Sequence, residues 1–238
     1  TGNPADTIRH RRTDEGEDLL LVGGQSHKPG EKDISTKERY RRCEALAREY
    51  FPVESVEYRW STMDYTPVDS VPFIGQIDPF TDSVYVGAGF SGWGMTGGTA
   101  AGLILSDLIV DGSSSWADVF DPQRLTPGQS AKELVTENAE VGVEFLDGWA
   151  NSLLSAGEAP VERNEAEVTR HEGRPVGVYR DEDGVVHAVS AVCPHMGCVV
   201  RWNDAERTWD CPCHGSRFTC DGDVVSGPSL DDLPSREL

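Results

Sequence analysis

Apolar and polar positions along this chain change period several times, and each change marks an element. Thr7 to Arg12 and Asp18 to Val22 read as two short strands, and the turn-rich stretch Gly23-Gly24-Gln25-Ser26-His27-Lys28-Pro29-Gly30 follows. Ser35 stands three residues before Glu38, the capping-box spacing, and Tyr40, Cys43, Leu46, Ala47 and Tyr50 then fall on one helical face. The helix they predict stops at Pro52. Residues 55–60, aromatic and β-branched, read as a strand, and Tyr65 to Gly75, with two prolines, as loop and edge strand. Ser83 to Val86 is a short buried strand leading into the glycine-rich run GAGFSGWGMTGG at 87–98, and a helix runs from about Met95 to Val110. Residues 111–129 are turn-rich. A second long helix is expected from Ser130 to about Leu154, with Leu134, Val141, Val143, Phe145, Leu146 and Trp149 as its apolar content. After the short SAGEAP linker at 155–160, strand-like runs alternate with Gly, Asp and Pro, the pattern of a small all-β domain. The whole reads as an α+β chain of two modules without internal repeats, with the boundary near Glu158.

Composition narrows the classes. At 238 residues the chain fits one large domain or two ordinary ones. It has no apolar run near the ~18 residues of a membrane span and no signal-peptide pattern, so no span and a cytoplasmic location are expected. Its start at Thr1, running straight into strand-like sequence, points to a fragment or processed product of something longer. The net charge is −20; from residue 160 onward 15 acidic and 8 basic residues give −7, leaving −13 for the rest. Acidity spread over the whole chain repels phosphate backbones and argues against a nucleic-acid partner. The basic residues are 4 Lys and 17 Arg, a skew that, with so many carboxylates, points to a high-salt organism; a mildly acidic mesophile is the alternative.

Cysteine placement is the most informative feature. Cys43 stands alone, whereas Cys193, Cys198, Cys211, Cys213 and Cys220 fall within 28 residues, a grouping that reads as a metal site. The motifs are CPHMGC at 193–198 and CPCHGS at 211–216, so that each half offers one thiolate and one imidazole from a tight turn. Two Cys on one iron and two His on the other make the ligand set of one class of [2Fe–2S] centre. The same four side chains could bind zinc tetrahedrally, although zinc motifs seldom interleave a second cysteine pair.

On these motifs, with Gly197, Gly215, Ser216, Phe218 and Gly227-Pro228, the chain over about 160–238 resembles the Rieske iron–sulfur family. The resemblance implies that Cys193 and Cys211 bind one iron and His195 and His214 the other. It implies a disulfide between Cys198 and Cys213, with Cys220 as a competing partner and otherwise a buried or loop thiol. Ser216 stands where high-potential members donate a hydroxyl to a cluster sulfur, and Phe218 where they carry a tyrosine donor. A potential below the top of the family range of roughly −150 to +300 mV follows.

Gly87-Ala88-Gly89-Phe90-Ser91-Gly92 matches G-x-G-x-x-G, but a dinucleotide fingerprint needs a second strand ending in an acid, and here Asp107 and Asp111 lead into Gly-Ser-Ser-Ser. PFIG at 72–75 with VYVGAGFSGWGMTGGTAAGLILSDLI at 84–109 resembles instead the closing segment of FAD-dependent oxidoreductases of the D-amino-acid oxidase and glycine/sarcosine oxidase class, over about 1–125. The resemblance implies that Gly89, Phe90, Ser91, Gly92, Trp93, Gly94, Met95 and Thr96 line FAD, with the helix N–H groups near Met95 and Thr96 directed at the flavin. It also implies noncovalent FAD, because Ser61, Thr62 and Met63 stand where some relatives tether it through a cysteine. The family's ADP-binding fingerprint is absent from these residues, so holding FAD is expected to need more chain. A glycine turn that merely packs a helix on a sheet is the alternative, with Trp93 as core. His27 reads as a solvated loop histidine or one near substrate, Tyr65 and Asp69 as structural, and Cys43 as core.

The expected organisation is residues 1–125 as the C-terminal part of an FAD-dependent oxidoreductase domain, 126–159 as helix and linker, and 160–238 as a Rieske domain. The expected function is redox: an amine or amino-acid-like small molecule reduces FAD, and the cluster exchanges electrons with the flavin or with an external donor or acceptor, protein or small molecule. The competitors are a stand-alone electron carrier on a non-catalytic flavoprotein-like scaffold, a zinc module, and an oxygenase. The last needs a 2-His-1-carboxylate set, and His10, His27, His171 and His187 are scattered.

Overall fold

The computed structural model describes residues 7–29, 34–81, 83–124, 127–154 and 161–238, with side chains in the helix that begins at Pro127 described from 135 onward except at 137. Gly30 of the first turn and the SAGEAP linker lie outside these residues.

The two opening strands form an antiparallel hairpin, β1 (Thr7–Arg12) and β2 (Asp18–Gly23), in register from Thr7 opposite Gly23 to Arg12 opposite Asp18. Helix α1 (Thr36–Tyr50) begins where the Ser35 hydroxyl accepts the Glu38 N–H at 3.3 Å, and ends before Pro52. Of its expected apolar face Ala47 is buried, Tyr40, Cys43 and Leu46 are half-buried, and Tyr50 is exposed.

Residues 55–60 form no strand, contrary to their composition. Strand content reports a side chain's fit to a half-buried pleated surface rather than a backbone preference, and here Tyr58 and Trp60 are exposed. The segment is tied down through polar contacts instead: Arg59 pairs with Glu44 at 2.8 Å, and the Ser61 carbonyl accepts from Arg217 at 3.3 Å.

By compactness the chain divides into Thr62–Glu140 on one side and Thr1–Ser61 with Val141–Leu238 on the other. In the first unit β3 (Phe73–Gln76) pairs antiparallel with β4 (Tyr85–Ala88). Helix α2 (Gly94–Val110) lays Ala101 and Ile104 on Ile74, and Phe90, Leu105, Leu108 and Phe120 complete this core. Phe120 belongs to α3 (Ala117–Phe120), a one-turn helix inside the stretch expected to be only turns; an apolar side chain with a core to reach is what organises it. Asp69 is structural as expected, its carboxylate gripped by Arg124 at 2.7 and 2.8 Å while the guanidinium lies over the Phe73 ring. Helix α4 (Pro127–Leu154) runs on into the second unit.

There, two antiparallel sheets follow the α4 helix. The first has the order β5 (Glu165–His171), β6 (Arg174–Arg180), β7 (Val186–Ser190), and the second is built from β8 (Arg201–Asn203), β9 (Thr208–Asp210), β10 (Arg217–Phe218) and β11 (Val224–Ser226), each beside the next. Their shared core holds Tyr179, Val189, Ala191, Val199, Val200, Trp209, Phe218 and Leu233. The α+β class and the all-β character of the C-terminal part are as the sequence predicts. No helix among the described residues is long and apolar enough to cross a membrane.

Candidate functional site

Two loops of matching construction rise from the second unit. In the first, the Gly197 N–H donates to the Cys193 carbonyl at 2.9 Å and the Cys193 N–H to the Cys198 carbonyl at 2.9 Å. In the second, Gly215 donates to Cys211 at 3.0 Å and Cys211 to Ser216 at 2.7 Å. Both turns close through a glycine of positive φ, +77° at Gly197 and +81° at Gly215, a conformation that a Cβ disfavours. Cys198 and Cys213 are joined by a disulfide with Cα atoms 6.4 Å apart, so the loops are cross-linked as the family resemblance implied. Cys220 does not compete for that bond, and its thiol faces Asp221.

Held this way, Cys193 and Cys211 are both buried and face each other. Donation from Cys211, ahead of the His195 N–H and the Ser216 hydroxyl, pulls the Cys193 thiol down, while the same contact and burial push Cys211 up. The His195 and His214 rings meet edge to face with centroids 4.9 Å apart. Burial, then the neighbouring His195, lowers the pKa of His214, whose Nδ1 is buried with no hydrogen-bond partner. His195 is exposed. Two buried, mutually interacting thiols and an orphaned imidazole nitrogen fit a metal centre.

The surroundings fix these loops. Ser216, fully buried, accepts the Ser229 N–H at 3.0 Å. From α4, the Trp149 indole donates to the Gly197 carbonyl at 3.1 Å, and Glu144 and Asp147 hold Arg201 at 2.5 and 3.1 Å. Arg217, next to the second loop, is buried against Asp210 at 3.1 Å and Thr208 at 3.3 Å, and Asn203 donates to the other Asp210 oxygen at 2.9 Å. Residues of the N-terminal segment close the same network. The Tyr40 hydroxyl donates to Glu206, and Lys37 reaches Asp204. Burial raises the Glu206 pKa, against the pull of Arg217.

In the other unit the glycine-rich turn connects β4 to α2. Ser91 adopts a φ of +50°, and its Oγ is buried with no partner. No side chain caps α2, and its first turn carries no acid. Trp93 is 74% and Met95 75% exposed, and neither joins the core of this unit. His27 is exposed and bonded only to the Gln25 carbonyl among the contacts seen.

Residues 152–237 match the family model for the Rieske [2Fe-2S] domain, and residues 3–108 that for FAD dependent oxidoreductases. The chain carries a Rieske domain behind an FAD-dependent oxidoreductase region. It is 38% identical over 224 residues to YhfW of Bacillus subtilis, provisionally named as a Rieske 2Fe-2S iron-sulfur protein, covering 94% of this chain and 43% of that one. It is 48% identical over 48 residues to the cytochrome b6-f complex iron-sulfur subunit of Chlorobaculum thiosulfatiphilum, covering 20% and 26%. The chain thus spans less than half the length of these curated relatives. Among solved structures, the plasma membrane Rieske protein PetC3 from Synechocystis PCC 6803 is 37% identical, covering 29% of this chain and 72% of that one at a TM-score of 0.28.

The cofactors of the two regions are a Rieske-type [2Fe–2S] cluster and FAD. The buried sulfur pair and the orphaned His214 nitrogen fit the first. The unpartnered Ser91 hydroxyl beside an uncapped helix start fits the second. Two supports of the Rieske loops carry little signature in the sequence, the Trp149 indole and the buried Arg217–Asp210 pair. Trp149 stood out as apolar content of a helix, but nothing in its spacing pointed to a loop 48 residues on. A charged residue directly after the second ligand motif was the only signal for Arg217.

Proposed function

We propose that this protein passes electrons between a flavin reduced by a small-molecule amine or amino-acid-like substrate and a Rieske cluster, which exchanges them with a further donor or acceptor. The presence of both cofactor regions in one chain carries the reading. When bound, FAD supplies two-electron and the cluster one-electron chemistry.

The residues take these parts. Cys193 and Cys211 hold one iron and His195 and His214 the other, and the Cys198–Cys213 disulfide keeps the loops at fixed separation. Exposed His195 gives the shortest way out to a partner, and an imidazole ligand can take up a proton as charge arrives. Gly89, Phe90, Ser91, Gly92, Trp93, Gly94, Met95 and Thr96 line the flavin, the free N–H groups of α2 favouring negative charge on it. Contiguous regions at 1–125, 126–159 and 160–238 remain the proposed division of labour. A non-catalytic scaffold is disfavoured by the match of 3–108 to an oxidoreductase family.

The test uses the full-length protein with both cofactors, mixed anaerobically with a panel of amines and amino acids. At least one should bleach the flavin and then produce the EPR signal of a reduced Rieske cluster. A flavin that bleaches while the cluster stays oxidised, with dithionite still able to reduce it, would refute the coupling.

A further inference from the structure

On the Rieske domain, outside the two Cys–His motifs, three different metal-binding side chains converge. One ring nitrogen of His187, the Cys220 sulfur and one Asp221 carboxylate oxygen all lie within 4.8 Å of one another. We propose that His187, Cys220 and Asp221 form a second metal site, mononuclear and suited to a divalent zinc-like cation. The proposal is independent of the flavin reading.

The donor types carry it first. One sulfur, one imidazole nitrogen and one carboxylate oxygen are the ligands zinc takes, with water completing a tetrahedron. A thiolate and a carboxylate balance the charge of a divalent ion, and the chain's net charge of −20 favours cations near its surface.

The geometry is also preorganised from both sides. His187 sits on β7 with Nδ1 2.7 Å from an Asp221 oxygen and Nε2 3.4 Å from Asp181. Asp181 is itself fixed, its other oxygen accepting the Val185 N–H at 2.7 Å. A carboxylate behind the second ring nitrogen sets the tautomer and orientation of many metal-binding histidines, which makes Asp181 a positioning residue. The Tyr179 ring stacks on the imidazole at 5.7 Å. On the other side, Cys220 and Asp221 occupy a tight turn closed by Gly222 N–H to the Thr219 carbonyl at 3.1 Å and Asp223 N–H to the Thr219 hydroxyl at 3.1 Å. The site is open to entering ions, with the Asp221 side chain 62% exposed.

Binding involves no redox change. The metal forms bonds to Cys220 Sγ, His187 Nδ1 and an Asp221 oxygen; the thiol proton leaves to solvent, His187 keeps its Nε2 proton on the Asp181 side, and a protonated ring also releases its Nδ1 proton.

The experiment is a zinc titration of the cluster-loaded, chelator-washed full chain, with zinc and iron measured on desalted samples and the zinc shell read by X-ray absorption. The expected result is one zinc per chain beyond the cluster iron, with one sulfur among its ligands. Cys220→Ser and Asp221→Asn should each weaken zinc binding about tenfold or more, and Asp181→Asn about tenfold, all with iron content unchanged. No retained zinc, a zinc shell without sulfur, equal retention by Cys220→Ser, or zinc gained only as iron is lost would each overturn the proposal.

Discussion

Ser216 offers the sharpest test of the cluster loops, because its hydroxyl has two jobs that separate in the readout. Its oxygen accepts the Ser229 N–H at 3.0 Å, and its hydroxyl can donate to the Cys193 sulfur, helping to lower that thiol's pKa. Ser216→Ala leaves the Ser229 N–H, on a residue 2% exposed, without an acceptor. A buried donor stranded in this way costs about 1–3 kcal/mol. At about 2–4 °C per kcal/mol for a unit of this size, the melting temperature should fall by roughly 2–12 °C. Losing the donor to sulfur also destabilises the reduced, more negative cluster, so the midpoint should fall. A tenfold loss of differential stabilisation corresponds to about 59 mV for one electron, and a drop of several tens of mV is expected. Both quantities come from one preparation, by circular dichroism melting and by an anaerobic redox titration followed by EPR. Ser216→Thr, which keeps the hydroxyl, should retain most of both. A lower melting temperature with an unchanged or higher midpoint would refute the donation to Cys193.

Other outcomes follow from the same contacts. Phe218→Tyr places a hydroxyl at a fully buried position beside the second loop and should raise the midpoint in a redox titration; an unchanged or lower value defeats that account. Replacing both Cys198 and Cys213 by Ser frees a loop of 15 residues, worth about 3 kcal/mol of chain entropy, and should hasten loss of the visible cluster absorption under chelator challenge. Gly177→Ala puts a Cβ 2.8 Å from the Trp209 ring, which is fully buried, and should lower the urea midpoint by an amount worth about 1–3 kcal/mol. His187 has its pKa raised, by Asp221 first and by Asp181, against burial. Its protonated form therefore stabilises the fold fully below the unfolded value of about 6.5, and this is lost as pH rises through the raised folded value. With chelator present, the melting gap between wild type and His187→Gln should be widest on the acid side and close above it; a gap that widens with pH has the wrong sign.

Local chemistry was legible in the sequence wherever it sufficed to fix the structure. The cap at Ser35, the stop at Pro52 and the glycine-closed ligand turns are each decided within a few residues, and each is found where its motif stands. What depends on a distant partner was not legible. Residues 55–60 have the composition of a strand, but the segment is anchored by Arg59 on Glu44 and by the adjoining Ser61 carbonyl on Arg217, and it pairs with no strand. The helix α3 exists because Phe120 reaches a core that no local pattern announces. Cys220 read as a spare thiol, and only the folded chain sets it and Asp221 against His187, 34 residues away from Asp221. The four side chains of the proposed cluster, by contrast, lie within two hexapeptides, which is why the centre can be read before the fold.

The contacts of Lys37, Tyr40 and Ser61 with Asp204, Glu206 and Arg217 bear on how the iron–sulfur part can be cut out of the protein. A gene fragment starting at residue 152, where the family match begins, would discard this amino-terminal strap together with Glu144, Asp147 and Trp149. The excised piece would then present the Arg217 and Glu206 charges to water and leave the first ligand turn without its indole clasp. Supplying the strap and the α4 segment as separate peptides should restore what the trimming removes, as a severed buttress restores a wall when set back in place.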